Sequence, residues 1–250
     1  MNNILFIAIS LTFLLSESSA SLYKKNSSAT VRIDTIIPDT VLANDGSCGT
    51  GFIIEHTGVI VTNHHVIDGA KEIIVELENG IKYNVQGFYY VDENLDIAIM
   101  KIPAYGLPTV TLGNSNNLEV LDEVFTIGNP LCNIDANSKN TSSMGNVSQR
   151  YTDENGVDWI KFTAPISGGN SGGPLFNMNG EVIGINTATW IGDAQNLNLA
   201  VPINYARGYI ESGLSFINMK TDYDYLADSW DRYYPEHLNT CYDLEDVNEE

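Results

Sequence analysis

The sequence predicts an all-β protein built as two antiparallel β-barrels, and three observations support this fold class. Short β-prone runs recur along the chain from Val31 onward. Turn pairs such as Asn79-Gly80 and Asn179-Gly180 separate these runs, a rhythm typical of barrels rather than of alternating strand–helix units. One longer connection, from Pro103 to Asn117, divides the runs into two sets. We therefore expect each set to form its own barrel.

The predicted strands are short runs rich in β-branched and aromatic side chains. They cover residues 31–36, 51–55, 59–62, 72–77, 81–90, 97–102, 123–127, 158–163, 181–187 and 197–201. A helix is predicted over residues 203–213, directly after Pro202, because proline is favoured at the start of a helix.

The chain opens with an apolar run at residues 4–15, whose 12 residues are fewer than the roughly 20 that a membrane-spanning helix needs. Ser18-Ser19-Ala20 supplies the small residues that a signal peptidase reads, so residues 1–20 are interpreted as a signal peptide cleaved after Ala20. The first three residues carry no lysine or arginine, and an uncleaved anchor is the alternative. No later segment is long and apolar enough for a membrane, so a secreted or periplasmic location is expected.

The densest glycine cluster of the chain surrounds Ser171, in the run Ser167-Gly168-Gly169-Asn170-Ser171-Gly172-Gly173. Such a run presents a hydroxyl on a tight turn and leaves backbone amides free to point at a ligand. Attack on a carbonyl needs both a nucleophilic oxygen and donors for the negative charge that develops on the substrate. We expect the amides of Gly169, Asn170 and Ser171 to form this oxyanion hole. Taken alone, the run favours a glycine-rich β-turn without function.

A serine nucleophile needs a general base and a group that orients this base, and two further residues are candidates for these roles. His65 follows the apolar run that ends at Thr62-Asn63, and a histidine titrates close enough to neutrality to accept the proton of a serine. Asp96 leads into the apolar run 97–102, where a carboxylate that orients the histidine ring would have its partner. His65 and Asp96 precede the long connection and Ser171 follows it, so the active site is expected in the cleft between the barrels.

The chain order of His65, Asp96 and Ser171 is that of chymotrypsin-type proteases. Six segments in the same order and at the same spacing resemble the HtrA/Deg serine proteases and together cover roughly residues 30 to 212. They are Gly49-Thr50-Gly51-Phe52-Ile53-Ile54, Thr62-Asn63-His64-His65-Val66, Leu95-Asp96-Ile97-Ala98, Ile127-Gly128-Asn129-Pro130, Gly169-Asn170-Ser171-Gly172-Gly173-Pro174-Leu175 and Gly180-Glu181-Val182-Ile183-Gly184-Ile185-Asn186-Thr187.

The resemblance implies a chymotrypsin-like fold of two six-stranded antiparallel barrels with a short carboxyl-terminal helical extension. It makes His65 the general base, Asp96 its orienting acid and Ser171 the nucleophile. His64 stands where the family more often has asparagine, and the family spacing Thr-Asn-x-His-Val selects His65. Residues 21–213 are then the protease domain and 214–250 an acidic, aromatic extension. About 40 residues follow the helix, too few for the PDZ domain common in the family.

The resemblance also implies where a substrate binds. Residues 185–189, with Ile185, Asn186 and Thr187, are expected to run along the bound peptide as an added strand. Asn198 and Leu199 are expected to line the specificity pocket, where the family usually has glycine and phenylalanine. No acidic residue is found at the pocket base, so we expect small or medium apolar side chains rather than basic ones before the scissile bond.

Composition limits the partners. The formal net charge is −20, with 32 acidic and 12 basic residues, which disfavours nucleic acid and anionic membranes as partners. Neither the three cysteines nor the four histidines have metal-ligand spacing, so no metal and no cofactor is expected. A bridge between Cys48 and Cys132 is one hypothesis for the cysteines. Polypeptide substrates are the expected partners, and a homo-oligomer stays open.

The carboxyl-terminal extension carries ten acidic residues in 221–250 and one basic residue, Arg232. Tyr223, Leu226, Trp230 and Tyr233 recur in it at helical spacing, which predicts an amphipathic helix folded back onto the barrels. A docking element for a partner or a second subunit is the alternative.

The sequence thus predicts an exported serine endopeptidase that hydrolyses unfolded or damaged proteins through an acyl-enzyme. A protease-like chaperone or binding module of low activity on the same fold is the alternative, and a glutamyl-endopeptidase relative is a minor third reading.

Overall fold

A computed structural model describes residues 17–36, 47–130, 139–189, 198–213 and 215–219, with side chains 188 and 189 excepted. The apolar run of the predicted leader and residues 220–250 of the predicted extension 214–250 lie outside the described residues. The described residues form fifteen strands and three α-helices. The fold is therefore all-β, as the sequence predicts.

The amino-terminal half forms an eight-stranded antiparallel sheet with the order β15-β6-β7-β3-β2-β1-β4-β5. Its strands are β1 Thr30–Ile36, β2 Cys48–Glu55, β3 Val59–Thr62, β4 Glu72–Glu76, β5 Lys82–Asn84, β6 Gly87–Asp92, β7 Ile97–Lys101 and β15 Ile217–Asn218. Within the described residues, no pairing joins its two outer strands. It is a half-barrel rather than the closed six-stranded barrel expected.

The carboxyl-terminal half forms a closed barrel of six strands. The order runs β12-β9-β10-β11-β14-β13, and a direct pairing between β12 and β13 closes the ring, with β8 added in parallel to β13. These strands are β8 Thr111–Leu112, β9 Glu123–Gly128, β10 Thr141–Thr152, β11 Asp158–Phe162, β12 Pro174–Asn177, β13 Glu181–Thr189 and β14 Asn198–Pro202. Closure leaves few free edges, which stabilises an antiparallel sheet.

Apolar side chains of both halves meet in one continuous core cluster. Phe52 and Ile97 come from the amino-terminal sheet, Phe176 and Val201 from the closed barrel, and all four are fully buried in this cluster. Burial of each such side chain contributes about 1.5–3 kcal/mol. This shared core fixes the two halves against each other and thus sets the geometry of the cleft between them.

Three α-helices complete the fold, α1 Ser19–Ser27, α2 His64–Ile67 and α3 Ile203–Ser212, together with a 3-10 helix at Ser115–Asn117. The third confirms the helix predicted after Pro202 and ends at Gly213, whose left-handed φ of 73° suits glycine. The ring of Tyr209 on α3 stacks 3.5 Å from that of Tyr90 on β6. A helix that leaves the closed barrel therefore packs on the other half.

Two α-helices, α1 and α2, and four strands, β8, β10, β12 and β15, were not predicted. Helix α1 is absent from the prediction, although its Leu22 is completely buried in the shared core. Strand β10 was missed because its side chains are mostly polar and only Val147 is fully buried. Among the described residues no helix is long and apolar enough to cross a membrane.

Candidate active site

The structure places His65 at the mouth of the cleft through the end of strand β3. All four residues of β3 are buried, and the chain turns at Asn63, the residue directly before the short helix α2. His65 is the second residue of that helix, and 44% of its side chain is exposed. The buried strand β3 thus fixes the backbone just before His65, while the imidazole ring remains partly exposed to solvent.

Asp96 binds both the ring and the backbone of His65. Its Oδ2 lies 2.8 Å from His65 Nδ1, and its Oδ1 accepts the His65 backbone N–H at 2.9 Å. The Asp96 carbonyl accepts a hydrogen bond from the Asn63 side chain at 2.8 Å. The two oxygens of one carboxylate therefore fix the histidine at two points, which holds Nδ1 as the protonated nitrogen and leaves Nε2 free to act as a base.

The backbone of Asp96 is in an unusual conformation. Its φ is 53°, in the left-handed region that non-glycine residues rarely adopt. Strain of this kind persists where surrounding contacts impose it, and it concentrates at functional sites. The bonds to His65 and Asn63 are the contacts that impose it here.

Thr187 joins the carboxylate to the serine. Its hydroxyl donates a short hydrogen bond to Asp96 Oδ2, and its carbonyl accepts one from Ser171 Oγ at 3.2 Å. Sequence reasoning assigned Thr187 to substrate binding and missed this contact. Its signal was weak, because a threonine near the end of a strand is ordinary.

The main chain of Ser171 is fixed to both halves of the protein. Its carbonyl accepts the Thr50 N–H of strand β2 at 2.9 Å. The next amide, that of Gly172, donates to the Asn186 carbonyl of strand β13 at 2.7 Å. The predicted nucleophile thus lies where the two halves meet, beside the His65–Asp96 pair.

Ser171 Oγ is in a resting orientation. Within the described residues its hydrogen bond goes to the Thr187 carbonyl, and none joins it to His65. Catalytic hydrogen bonds are commonly long or misaligned in proteins without substrate.

The residues before Ser171 form a tight turn. The Asn170 N–H donates to the Ser167 carbonyl at 3.0 Å, and Gly169 occupies the third turn position with a φ of 93° that favours glycine. Asn170 was predicted as an oxyanion donor; this is corrected, because the turn consumes its amide. The amides of Gly169 and Ser171 make no hydrogen bond within the described residues, so both are available to an oxyanion.

Thr50 organises this turn and was missed by sequence reasoning. Its hydroxyl donates to the Gly169 carbonyl at 2.6 Å and accepts the Asn129 N–H at 3.0 Å. The carbonyl of Gly169 is thereby directed at strand β2. A polar residue between two glycines in an otherwise apolar run was the available signal.

The predicted substrate-binding residues divide into two groups. The side chains of Ile185 and Asn186 are completely buried, so they do not line the cleft. The Asn198 side chain is 1% exposed, while Leu199 is partly exposed. Strand β13 pairs with β12 only up to Ile185, so residues 187–189 have no strand partner on that edge within the described residues, although the Thr187 carbonyl accepts the hydroxyl of Ser171.

Among the described residues, no cluster of histidine, cysteine and acidic side chains has the arrangement of a metal site. The chemistry that the arrangement offers is that of a hydroxyl, an imidazole, a carboxylate and two amides.

Comparison with known proteins decides the family. A family model described as "Trypsin-like peptidase domain" matches residues 49–185. The chain belongs to this family. Its resemblance to the HtrA/Deg group is confirmed by a probable periplasmic serine endoprotease, DegP-like, of Chlamydia trachomatis, which is 36% identical over 209 residues. That match covers 81% of this chain and 40% of the relative.

One further curated relative and two solved structures that resemble this chain are also named as serine or HtrA-type proteases. The putative serine protease HhoA of Synechocystis is 42% identical over 170 residues, covering 64% of this chain and 41% of the relative. The solved structure of the HtrA-type protease AlgW with tripeptide is similar with a TM-score of 0.68 at 32% identity, covering 78% of this chain and 63% of that one. The serine endoprotease of Yersinia pestis gives 0.65 at 30% identity, with 78% and 66% covered. The chain spans about two fifths of these two curated relatives.

Proposed function

We propose that this chain is an exported serine endopeptidase that hydrolyses peptide bonds of unfolded or damaged proteins. One observation carries the proposal: a single carboxylate, Asp96, binds the Nδ1 of His65 while Thr187 links it to the hydroxyl of Ser171. A buried apolar core, a metal site or a simple β-turn would have no need of such a chain of contacts.

The reaction divides into two steps. In the first, Ser171 Oγ attacks the substrate carbonyl while His65 Nε2 accepts its proton, and Asp96 stabilises the imidazolium. The amides of Gly169 and Ser171 stabilise the oxyanion. The tetrahedral intermediate then collapses, the C–N bond breaks, and His65 returns the proton to the departing amine.

The second step releases the product. Water attacks the ester formed on Ser171 and gives its proton to His65. The second tetrahedral intermediate then collapses, the bond between the carbonyl carbon and Ser171 Oγ breaks, and His65 returns the proton to Oγ, which leaves a carboxylic acid and the free serine hydroxyl. The catalyst is thus regenerated with every proton accounted for, and no cofactor takes part.

The unpaired edge of residues 187–189 supports unfolded substrates. An extended peptide adds to such an edge by backbone hydrogen bonds, which are largely independent of sequence. In a folded domain most backbone N–H and C=O groups are already hydrogen-bonded within the domain, so they are not available to pair with this edge.

Export is supported by the leader and by relatives named periplasmic endoproteases. The proposed cleavage site lies inside helix α1, whose amino-terminal cap is Ser18. Because a peptidase cleaves an extended chain, removal of the leader is expected to precede the formation of the first turn of α1. The mature chain then begins at Ser21 and keeps the buried Leu22.

The test is labelling with a fluorophosphonate, which reacts with an activated serine. Wild type is expected to be labelled and to cleave an unfolded casein-type substrate. Ser171→Ala removes both, whereas Ser167→Ala, a serine of the same turn, retains labelling. Absence of labelling and cleavage in wild type under all conditions contradicts the proposal.

A second candidate is a binding or chaperone module of low activity. The resting orientation of Ser171 Oγ, bonded to the Thr187 carbonyl, favours it. Suppression of aggregation of an unfolded client, undiminished in Ser171→Ala and without labelling of wild type, would identify this function instead.

A further inference from the structure

Asn129 lies beside the oxyanion turn and orients the hydroxyl of Thr50. Its backbone N–H and its side-chain Nδ2 both donate to Thr50 Oγ1, at 3.0 and 3.3 Å. A threonine hydroxyl has two acceptor positions and one proton. Because both acceptor positions are occupied, the proton is left for the Gly169 carbonyl, whose oxygen lies 2.6 Å from Thr50 Oγ1.

The Gly169 carbonyl belongs to the peptide unit between the two amides that are available to an oxyanion, those of Gly169 and Ser171. A peptide unit is planar, so a hydrogen bond to its carbonyl restrains the whole unit. The N–H of the same unit, that of Asn170, donates to the Ser167 carbonyl at 3.0 Å. The two bonds together hold the part of the turn from which both flanking amides project.

The side-chain amide of Asn129 is itself oriented by its partners. Its Oδ1 accepts the backbone N–H of Asn140 at 3.2 Å, and its Nδ2 also donates to the Val31 carbonyl at 3.3 Å. In a flipped amide, Nδ2 would face a donor and Oδ1 would face an acceptor, so only one orientation is satisfied. Asn129 is 1% exposed, and solvent therefore does not replace these bonds.

Helix α1 holds Asn140 in place. The φ of Asn140 is 48°, a left-handed value that asparagine tolerates better than most residues but that needs support from its surroundings. Its Nδ2 donates to the Ser27 carbonyl at 3.0 Å, and its carbonyl accepts the hydroxyl of Tyr23 at 2.9 Å. Both partners belong to α1, so the helix fixes Asn140 at two points.

Hydrogen bonds, more than close packing, set the geometry between α1 and the turn. A cavity of about 130 Å³ is bordered by Tyr23, Asn129 and Asn140, which leaves these side chains room to shift when a bond is lost. The helix itself is anchored, because its Leu22 is completely buried in the core that both halves share. Helix α1 is thus a fixed support, and the polar contacts that lead from it are the adjustable part.

We propose that Asn129 is a positioning residue of the oxyanion hole, acting through Thr50 on the turn at Gly169. Tyr23 and Asn140 extend this action to helix α1, whose docking is then required for full activity. The inference rests on the proposed function. Stabilisation of an oxyanion acts in the transition state and hardly in substrate binding. A displaced turn should therefore lower kcat and leave KM nearly unchanged.

The test measures kcat per active site, with the endpoint of fluorophosphonate labelling as the count of sites. Asn129→Ala is expected to lower this kcat about ten- to a hundredfold, less than the roughly 10²- to 10³-fold lost with a whole oxyanion donor. The KM for an internally quenched peptide should stay within about twofold of wild type. A purely structural role would reduce the number of labelled sites but not the kcat of each site.

Tyr23→Phe tests the part of the helix with a smaller change. It removes one hydroxyl from a residue that is 37% exposed, so the variant is expected to fold. The loss of one hydrogen bond to Asn140 should lower kcat per site about threefold, again at nearly constant KM.

Two control variants are matched to these changes. Asn146→Ala removes an amide that donates to the Leu121 carbonyl, and Tyr205→Phe removes a hydroxyl that accepts the Asp158 N–H. Neither bond involves the oxyanion turn or helix α1. Both variants should keep the kcat and KM of wild type.

A double-mutant cycle identifies the route of the effect. In Thr50→Val the hydroxyl on which Asn129 acts is missing, so adding Asn129→Ala should lower kcat by no more than about twofold further. Full multiplication of the two losses would overturn the route through Thr50.

The outcomes separate this proposal from the proposed function. Unchanged kcat per site in Asn129→Ala overturns the role of Asn129, and unchanged kcat per site in Tyr23→Phe overturns the role of the helix; both leave the endopeptidase standing. If Asn129→Ala does not fold, Tyr23→Phe decides alone. Absence of both labelling and cleavage in wild type overturns the positioning role and the proposed function together.

Discussion

The Asp96 carboxylate accepts a hydrogen bond from the hydroxyl of Thr187, which lies 91 residues further along the chain and in the other half of the protein. His65 and its acid come from the amino-terminal sheet, whereas Thr187 and Ser171 come from the closed barrel or its loops. The bond thus crosses the cleft and couples the orientation of the acid to the docking of the two halves.

Removal of this bond is expected to slow catalysis without unfolding the protein. In Thr187→Val the carboxylate loses a hydrogen bond, and bonds to charged groups contribute about 1.5–3 kcal/mol, so kcat/KM should fall roughly ten- to a hundredfold. Steady-state cleavage of a quenched peptide measures this. Thr57→Val is the matched control, since Thr57 also donates to a carboxylate, that of Glu55, remote from the triad. Equal activity of wild type and Thr187→Val contradicts the role of the bond.

The two adjacent histidines have different expected roles. His65→Asn removes the base and should lower kcat by about 10⁴-fold or more. His64 is 8% exposed, and its ring lies 4.0 Å from Asp68 on the far side of the same turn. His64→Asn is therefore expected to keep activity within a few-fold of wild type. A reversed result in the same peptide assay would assign the base to His64.

The glycine after the serine is expected to be indispensable. Gly172 has a φ of 81°, and a Cβ there would lie 2.1 Å from Thr62 Oγ1 and 2.2 Å from the Thr50 carbonyl oxygen. Strain and crowding together should destabilise Gly172→Ala by about 2–4 kcal/mol in urea unfolding and abolish fluorophosphonate labelling.

Gly168 in the same turn provides the control, because a Cβ there has no atom within 4 Å. Gly168→Ala is expected to fold and react as wild type does. Comparable losses in the two variants would mean that the turn tolerates no substitution at all, contrary to the geometry.

The buried carboxylate of Glu76 is expected to make the free energy of unfolding fall at acid pH. Burial by itself raises the pKa of Glu76, but hydrogen bonds and charges of Lys139 and Lys82 outweigh it and hold that pKa below its ordinary value of 4.5. A pKa lowered by folding contributes stability above pH 4.5 that is lost as the pH falls through the folded value. Glu76→Gln should thus lose about 1–2 kcal/mol near neutrality and less below pH 4.5.

Urea unfolding of wild type and Glu76→Gln between pH 3 and pH 7 would measure the difference between their free energies of unfolding. This difference should be on the order of that contributed by one hydrogen-bonded ion pair. Glu78→Gln, at an exposed neighbouring position, serves as the control. A gap between wild type and Glu76→Gln that widens towards acid pH contradicts the sign.

Cys48 is expected to form its disulfide with Cys132. Cys48 is disulfide-bonded, and its expected partner, Cys132, lies outside the described residues. Peptide mapping without reductant should find Cys48 linked to Cys132 and leave Cys241 free to alkylation. Cys48→Ser should lose about 2–4 kcal/mol of stability. A Cys48–Cys241 peptide would refute this pairing.

The sequence predicted those parts of the fold and site that have a local pattern. Apolar strands such as β3 and β7 were found because their residues are almost all buried, and the glycines around Ser171 indicated the turn. Strand β10 was missed because barrel closure, rather than an apolar face, holds its polar residues in place. Local patterns do not carry such information.

Contacts across the cleft were beyond prediction for a similar reason. Nothing near Thr187 indicates that its hydroxyl reaches Asp96, and nothing near Asn170 indicates that the turn uses its amide. Both depend on where distant strands end, which is a property of the assembled molecule.

The main chain at Ser171 is hydrogen-bonded to strand β2 of one half and, through Gly172, to strand β13 of the other. The position of Ser171 therefore depends on both halves of the protein. Each half alone holds only part of the proposed catalytic site, so a partly synthesised chain is expected to have no protease activity. Completion of the proposed site therefore depends on the docking of the two halves of the protein.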